Sequence, residues 1–114
     1  MSLPQLEIRE ENGDSRLMLS VSGEVDMATV GGLREALARA VDGADEVWLD
    51  LTDVEFMDST GLTALVRAHT AIGDGSRRFV IICPGEGPVY RALEVCGLHE
   101  VLRVYSSRAA AAAA

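Results

Sequence analysis

Hydrophobic and polar positions change period several times along the chain, and each change marks an element. Leu6 and Ile8 alternate with Glu7 and Arg9. After a turn signal at Asn12-Gly13-Asp14, Leu17, Leu19 and Val21 alternate with Met18, Ser20 and Ser22. This pattern predicts a β-hairpin, closed by Gly23-Glu24-Val25-Asp26. Ala28, Val30, Leu33, Leu37, Ala40 and Val41 then fall at mostly helical spacing, with Arg34, Glu35 and Arg39 elsewhere on the wheel and a stop at Asp42-Gly43. Asp26 is a candidate N-cap for this helix, and Thr29 competes with it. Gly31-Gly32 weakens the first turn by about 1 kcal/mol per glycine relative to alanine, which implies either close packing or a partner approaching the backbone.

Val47-Trp48-Leu49-Asp50-Leu51 reads as a third strand, and Thr52-Asp53-Val54-Glu55 leads into Phe56-Met57-Asp58-Ser59-Thr60-Gly61-Leu62. Helical period begins there: Leu62, Leu65, Val66, His69 and Ile72 share one face. Asp58 and Ser59 stand where such a helix takes its N-cap, and the plain reading is a cap and nothing more. Gly73-Asp74-Gly75-Ser76 is a flexible turn. Phe79-Val80-Ile81-Ile82-Cys83 is apolar without alternation, which predicts a central parallel strand covered on both faces. Pro84-Gly85-Glu86-Gly87-Pro88 breaks the chain; Val89, Ala92, Leu93 and Cys96 form a short helix that Gly97 ends, and Leu102-Arg103-Val104-Tyr105 is a last short strand. The order ββαβαβαβ predicts a single α/β domain with a mixed, mostly parallel sheet, an N-terminal hairpin and helices packed on it. The run Ala109 to Ala114 is too short to hold a helix alone, so residues 107–114 are expected to be a disordered or artefactual tail without function.

Composition narrows the chemistry. A length of 114 residues suits one domain, and 48 % hydrophobic with only 4 % aromatic residues predicts an aliphatic core. A net charge of −8 argues against nucleic acid or an anionic membrane as partner. A basic protein partner fits better, and the bland alternative is that acidity only keeps the chain soluble. No basic segment precedes an apolar run, and no stretch approaches the roughly 20 apolar residues of a membrane span, so a cytoplasmic location without membrane insertion is expected. Cys83 and Cys96 form no CxxC pair, and both read as buried thiols. His69 and His99 share no ligand spacing, so neither a metal site nor a cofactor is expected.

In a parallel sheet the ends of the strands and the starts of the helices gather at one edge. The loops at Asp26 and at Asp58-Ser59 both run from strand to helix, so they should be neighbours. That convergence raises Ser59 above a cap. The element order, the Gly23-Glu24-Val25-Asp26 turn and the motif Phe56 to Leu62 together resemble the anti-sigma factor antagonists, small bacterial proteins of the STAS domain class (sulfate transporter and anti-sigma antagonist). The resemblance covers residues 5–106. It implies that Ser59 is phosphorylated by a partner that is both serine kinase and anti-sigma factor. It also implies that the unmodified form binds that partner and frees the sigma factor, and that the phosphorylated form cannot bind.

Roles follow for the neighbouring residues. Asp58 would orient the Ser59 hydroxyl or cap the helix, Gly61 would let another backbone come close, and Leu62 would pack inward at the contact. Asp26, by resemblance, lies at the same surface. Thr60 is an alternative acceptor. Met27 and Met57 are adaptable apolar contacts, with core filling as the competing role for Met57. A serine phosphatase is a further candidate partner, and the chain is expected to be a monomer or weak dimer. Two other function classes share some of these features. One is a STAS subunit or regulatory module of a membrane transporter. The other is an enzyme using Ser59 as nucleophile, and it finds no support: the motif is not G-x-S-x-G, no base stands at a telling spacing, and no P-loop is present.

Overall fold

The computed structural model describes residues 5–13, 16–72 and 77–114. Asp14 of the predicted hairpin turn and the predicted turn at 73–76 lie outside them. The alternating N-terminal segments form β1 (Leu6–Asn12) and β2 (Arg16–Val25), antiparallel, with Ile8 opposite Val21. α1 (Val30–Gly43) leads to β3 (Glu46–Met57) and α2 (Ser59–Ile72) to β4 (Arg78–Ile82). α3 (Pro88–Val95) and a one-turn α4 (Leu98–Val101) lead to β5 (Arg103–Tyr105), and α5 (Arg108–Ala113) follows. The strands lie in the order β1-β2-β3-β4-β5, parallel beyond the hairpin. Each crossover steps to the same side of the sheet, and right-handed crossovers then stack α1 to α4 on one face. The main core forms between them, where Leu19, Leu49 and Ile81 of the sheet meet Leu33, Leu65 and Leu93 of the helices, all fully buried.

β4 is interior and apolar on both faces, as its sequence requires: Phe79 and Ile81 face the helices, Val80 and Ile82 the opposite side. β3 is longer than the alternation suggests. From Ser20 to Val25 β2 advances five residues, while its partner advances seven, from Asp50 to Met57. The two extra residues are bulges in β3, and each resets which side chain points inward. Val47, Leu49 and Leu51 face the core in strict alternation, then Val54 and Met57 do so, with exposed residues between. A strand of this kind loses its period-2 signature after Leu51.

α2 is turned relative to its predicted face. Gly61, Leu62, Ala64, Leu65, Ala68 and Ile72 are buried, whereas Val66 and His69 are only half-buried. The helix packs against both the sheet and α1, and small alanines at 64 and 68 permit the second contact. Cys83 is buried as expected, but Cys96 is exposed. α3 ends at Val95, and the chain leaves through Cys96 into Gly97 at φ 72°, which swings the thiol away from the Val89–Leu93 face. Burial, reinforced by nearby Asp50, pushes the Cys83 thiol up to about 11. A thiol reagent is therefore expected to modify Cys96 quickly in the native protein and Cys83 only after unfolding. Equal reaction at both positions, read by peptide mass, would show the burial to be absent.

Residues 107–114 also depart from expectation. The Ser107 hydroxyl accepts from the Ala110 amide at 3.0 Å and caps α5. Arg108 Nε donates to Asp50 Oδ2 at 2.8 Å, and its Nη2 to Ser20 Oγ at 3.0 Å. Ala111 is buried against Met18, Trp48, Val80 and Ile82 on the face opposite the main core. Tertiary anchoring supplies what a six-residue alanine helix lacks in isolation. Burial raises the Asp50 carboxyl, but the Thr52 hydroxyl and amide and the Arg108 guanidinium outweigh it and hold the group below the ordinary range.

Candidate functional site

β2 and β3 finish side by side, with Glu24 opposite Phe56 and Val25 opposite Met57. The Asp58 amide donates to the Val25 carbonyl at 3.0 Å, so the two strand-to-helix loops are adjacent at the carboxyl edge of the sheet. Asp26 organises the first loop. Its Oδ1 accepts from the amides of Ala28 (2.9 Å) and Thr29 (3.1 Å), and its carbonyl accepts from Val30 at 2.8 Å. Thr29 stands immediately before α1 without capping it; its hydroxyl donates back to the Glu24 carbonyl at 2.8 Å and accepts from the Asp26 amide at 3.0 Å. The competition between Asp26 and Thr29 is thus settled by a shared turn.

Asp58 is the cap of α2. Its Oδ1 accepts from the Thr60 amide at 2.9 Å and from the Thr60 hydroxyl, and its carbonyl accepts from Gly61 and Leu62. The Thr60 hydroxyl bond, with backbone N–H groups of Thr60, Gly61 and Met27, holds the Asp58 carboxyl below the usual carboxylate range against a smaller opposing effect of desolvation. Ser59, next along, is exposed, and its hydroxyl bonds to no described group. Of the two adjacent hydroxyls, Thr60 is engaged and Ser59 is free.

Met27, in the first loop, is 80 % exposed, and Phe56, near the end of β3, is 47 % exposed. Asp26, Asp58 and Thr60 are half-buried. Gly61 and Leu62 are buried, Leu62 keeping 8 % of its surface. A Cβ on Gly61 would lie 2.5 Å from Met57 Cγ and 2.8 Å from Val25 Cγ1, so its glycine serves internal packing and not an approaching backbone. Leu62 packs inward as expected. Met57 is 5 % exposed and fills the core. Gly61→Ala is expected to cost about 1–3 kcal/mol by overpacking. Denaturant melts unchanged from the parent would show that Met57 can move aside freely.

Sequence reasoning missed Phe56 as a surface residue. The signal was present in Met57: if one member of the pair faces the core, the pleat turns the other away. The loops bring together Asp26, Met27, Asp58, Ser59 and Thr60; His69 and His99 lie elsewhere, on α2 and α4. Glu24, Asp26, Glu55 and Asp58 give the edge a negative character, and none forms an ion pair among the described residues. Among the described residues there is no cluster of metal-ligating side chains and no helix long and apolar enough to cross a membrane. The arrangement presents one unencumbered hydroxyl, flanked by apolar side chains and acids, to whatever docks on the edge.

The chain is 32 % identical over 88 % of its length to the anti-sigma-F factor antagonist RsfB of Mycobacterium tuberculosis, of which it covers 80 %. It is 30 % identical over 87 % of its length to the anti-sigma-B factor antagonist of Staphylococcus aureus, of which it covers 92 %. The crystal structure of an anti-sigma factor antagonist from Mycobacterium paratuberculosis superposes with a TM-score of 0.80 at 29 % identity, covering 95 % of this chain and 92 % of the other. The STAS domain family model matches residues 4–111, a span that takes in the whole sheet and the start of α5. With its hairpin-led parallel sheet and its hydroxyl-bearing helix start, the chain belongs to the STAS domain family.

Proposed function

We propose that the chain is an anti-sigma factor antagonist. Its unmodified form binds an anti-sigma factor that is also a serine kinase and so frees a sigma factor; phosphorylation of Ser59 blocks that binding, and a serine phosphatase restores it. The observation that carries this reading is the free, exposed Ser59 hydroxyl at the head of α2, with the neighbouring Thr60 hydroxyl held by Asp58. Exposed Met27 and Phe56 supply apolar area for a partner, and the acids around them favour a basic one. The names of the relatives support the same role, which is one of binding and not of catalysis, in the cytoplasm. The test is incubation with a purified anti-sigma kinase and ATP, followed by mapping of the phosphate. A single phosphate on Ser59 is expected, with Ser59→Ala unmodified and still bound. Labelling at Thr60, or none with every anti-sigma kinase of the source cell, would sink the assignment.

A further inference from the structure

A second surface lies away from the Ser59 edge. α1 and α2 run in the same direction, since each joins parallel strands, and a groove of about 340 Å³ opens between them. Its floor is aliphatic, with Leu37 and Val41 on one side and the alanines of α2, Ala68 among them, on the other. Arg34 stands on the α1 wall and Arg67 on the α2 wall, both exposed. Neither pairs with an acid among the described residues.

Among the described residues Arg39 pairs with Glu10, Arg16 and Arg78 with Glu46, and Arg108 with Asp50, whereas Arg9, Arg91 and Arg103, like the two groove arginines, meet no acid. Two like charges on opposite walls repel across the apolar floor, and a carboxylate seated between them would relieve the repulsion and accept hydrogen bonds from both. Asp42, at the far end of the α1 wall, reverses the sign and so gives the groove a polarity. Gly31, one turn before Arg34 on the same face of α1, has nothing within 4 Å of a Cβ built on it. Packing within the chain does not need that glycine, and its bare backbone leaves room for another chain.

We infer that this groove seats an acidic amphipathic helix of a protein partner, separately from the Ser59 contact. The walls from Arg34 to Asp42 span about 12 Å, so a helix of two to three turns fills them. Its aliphatic row lies on Leu37 and Val41, its carboxylates between Arg34 and Arg67, and its basic or amino-terminal end toward Asp42.

The test uses the whole chain labelled with nitrogen-15 and two synthetic 15-residue amphipathic peptides. They share one leucine and alanine row and carry either glutamates or lysines beside it. The glutamate peptide is expected to shift amides within 34–42 and 64–71, and to bind the R34E/R67E variant at least tenfold more weakly. That variant is expected to gain affinity for the lysine peptide, and Ser59→Asp to leave both affinities unchanged. Superposable spectra outside the groove establish that the double variant folds; if it does not, Arg34→Gln and Arg67→Gln are each expected to lose at least threefold. Equal binding of the glutamate peptide by parent and variants overturns the proposal. So do shifts confined to the Ser59 edge, laurate shifting the groove where the peptide does not, or self-association of the chain through these residues. Loss of the Ser59 switch with retained peptide binding would strike the proposed function alone.

Discussion

Phosphorylation of Ser59 is expected to weaken binding to the anti-sigma partner more than a hundredfold while moving the melting temperature by only a few degrees. The phosphate adds a charge of about −1.5 to −2 at neutral pH. At the head of α2 it gains roughly 0.3–1 kcal/mol from the helix dipole and nearby N–H groups. Repulsion from adjacent Asp58 opposes this by on the order of 1–3 kcal/mol at a solvated surface. The two partly cancel, so the fold survives. Docking is different: the partner must strip water from a dianion on an edge already lined by Glu24, Asp26 and Asp58. That penalty is several kcal/mol, and about 3 kcal/mol already exceeds a hundredfold in affinity. Calorimetric titration of both forms, with melting curves alongside, measures each quantity. A melted α2 in the phosphorylated form would replace this electrostatic blockade with an unfolding mechanism.

Gly23→Ala is expected to destabilise the domain by about 2–6 kcal/mol and to weaken partner binding with it. Gly23 has φ 106°, a conformation that costs a residue with a Cβ about 1–3 kcal/mol. The new Cβ would also lie 2.1 Å from the Gln5 carbonyl oxygen and 2.9 Å from its carbon. These are backbone atoms, and the same carbonyl accepts from the Glu24 amide at 2.8 Å, so it cannot step aside without giving up that bond. Overpacking adds about 1–3 kcal/mol. Because Gly23 precedes the Asp26–Met27 loop by only a few residues, displacement of the strand end moves the site as well. Denaturant unfolding and a binding assay of the same sample report both effects; a variant as stable as the parent would mean that β1 yields at little cost.

The hairpin, the buried β4 and the start of α2 were legible because each rests on local rules: alternation, an unbroken apolar run, and an acid before a helical period. The reversal of Cys96 depends on where α3 stops, one residue short of carrying that thiol onto the apolar face. The second half of β3 was hidden because two bulges erase the alternation by which a strand is read. Docking of α5 rests on Arg108 meeting Asp50, residues 58 positions apart, and no local pattern signals such a contact. At the candidate site, the adjacency of the Asp26 and Asp58-Ser59 loops was readable from topology. The division of labour between the two hydroxyls was not, since it depends on which one Asp58 takes.

That choice by Asp58 has a consequence for timing. With Oδ1 committed to the Thr60 hydroxyl and amide, the neighbouring serine oxygen is left without a hydrogen bond to any described group. In the proposed switch, Ser59 is the target of the reaction and no described group of the chain activates it. Under that proposal, how fast a cell's stock of competent antagonist is drained is governed by the abundance of the modifying enzyme and by its ATP supply, while this chain contributes only a steady, unprimed acceptor.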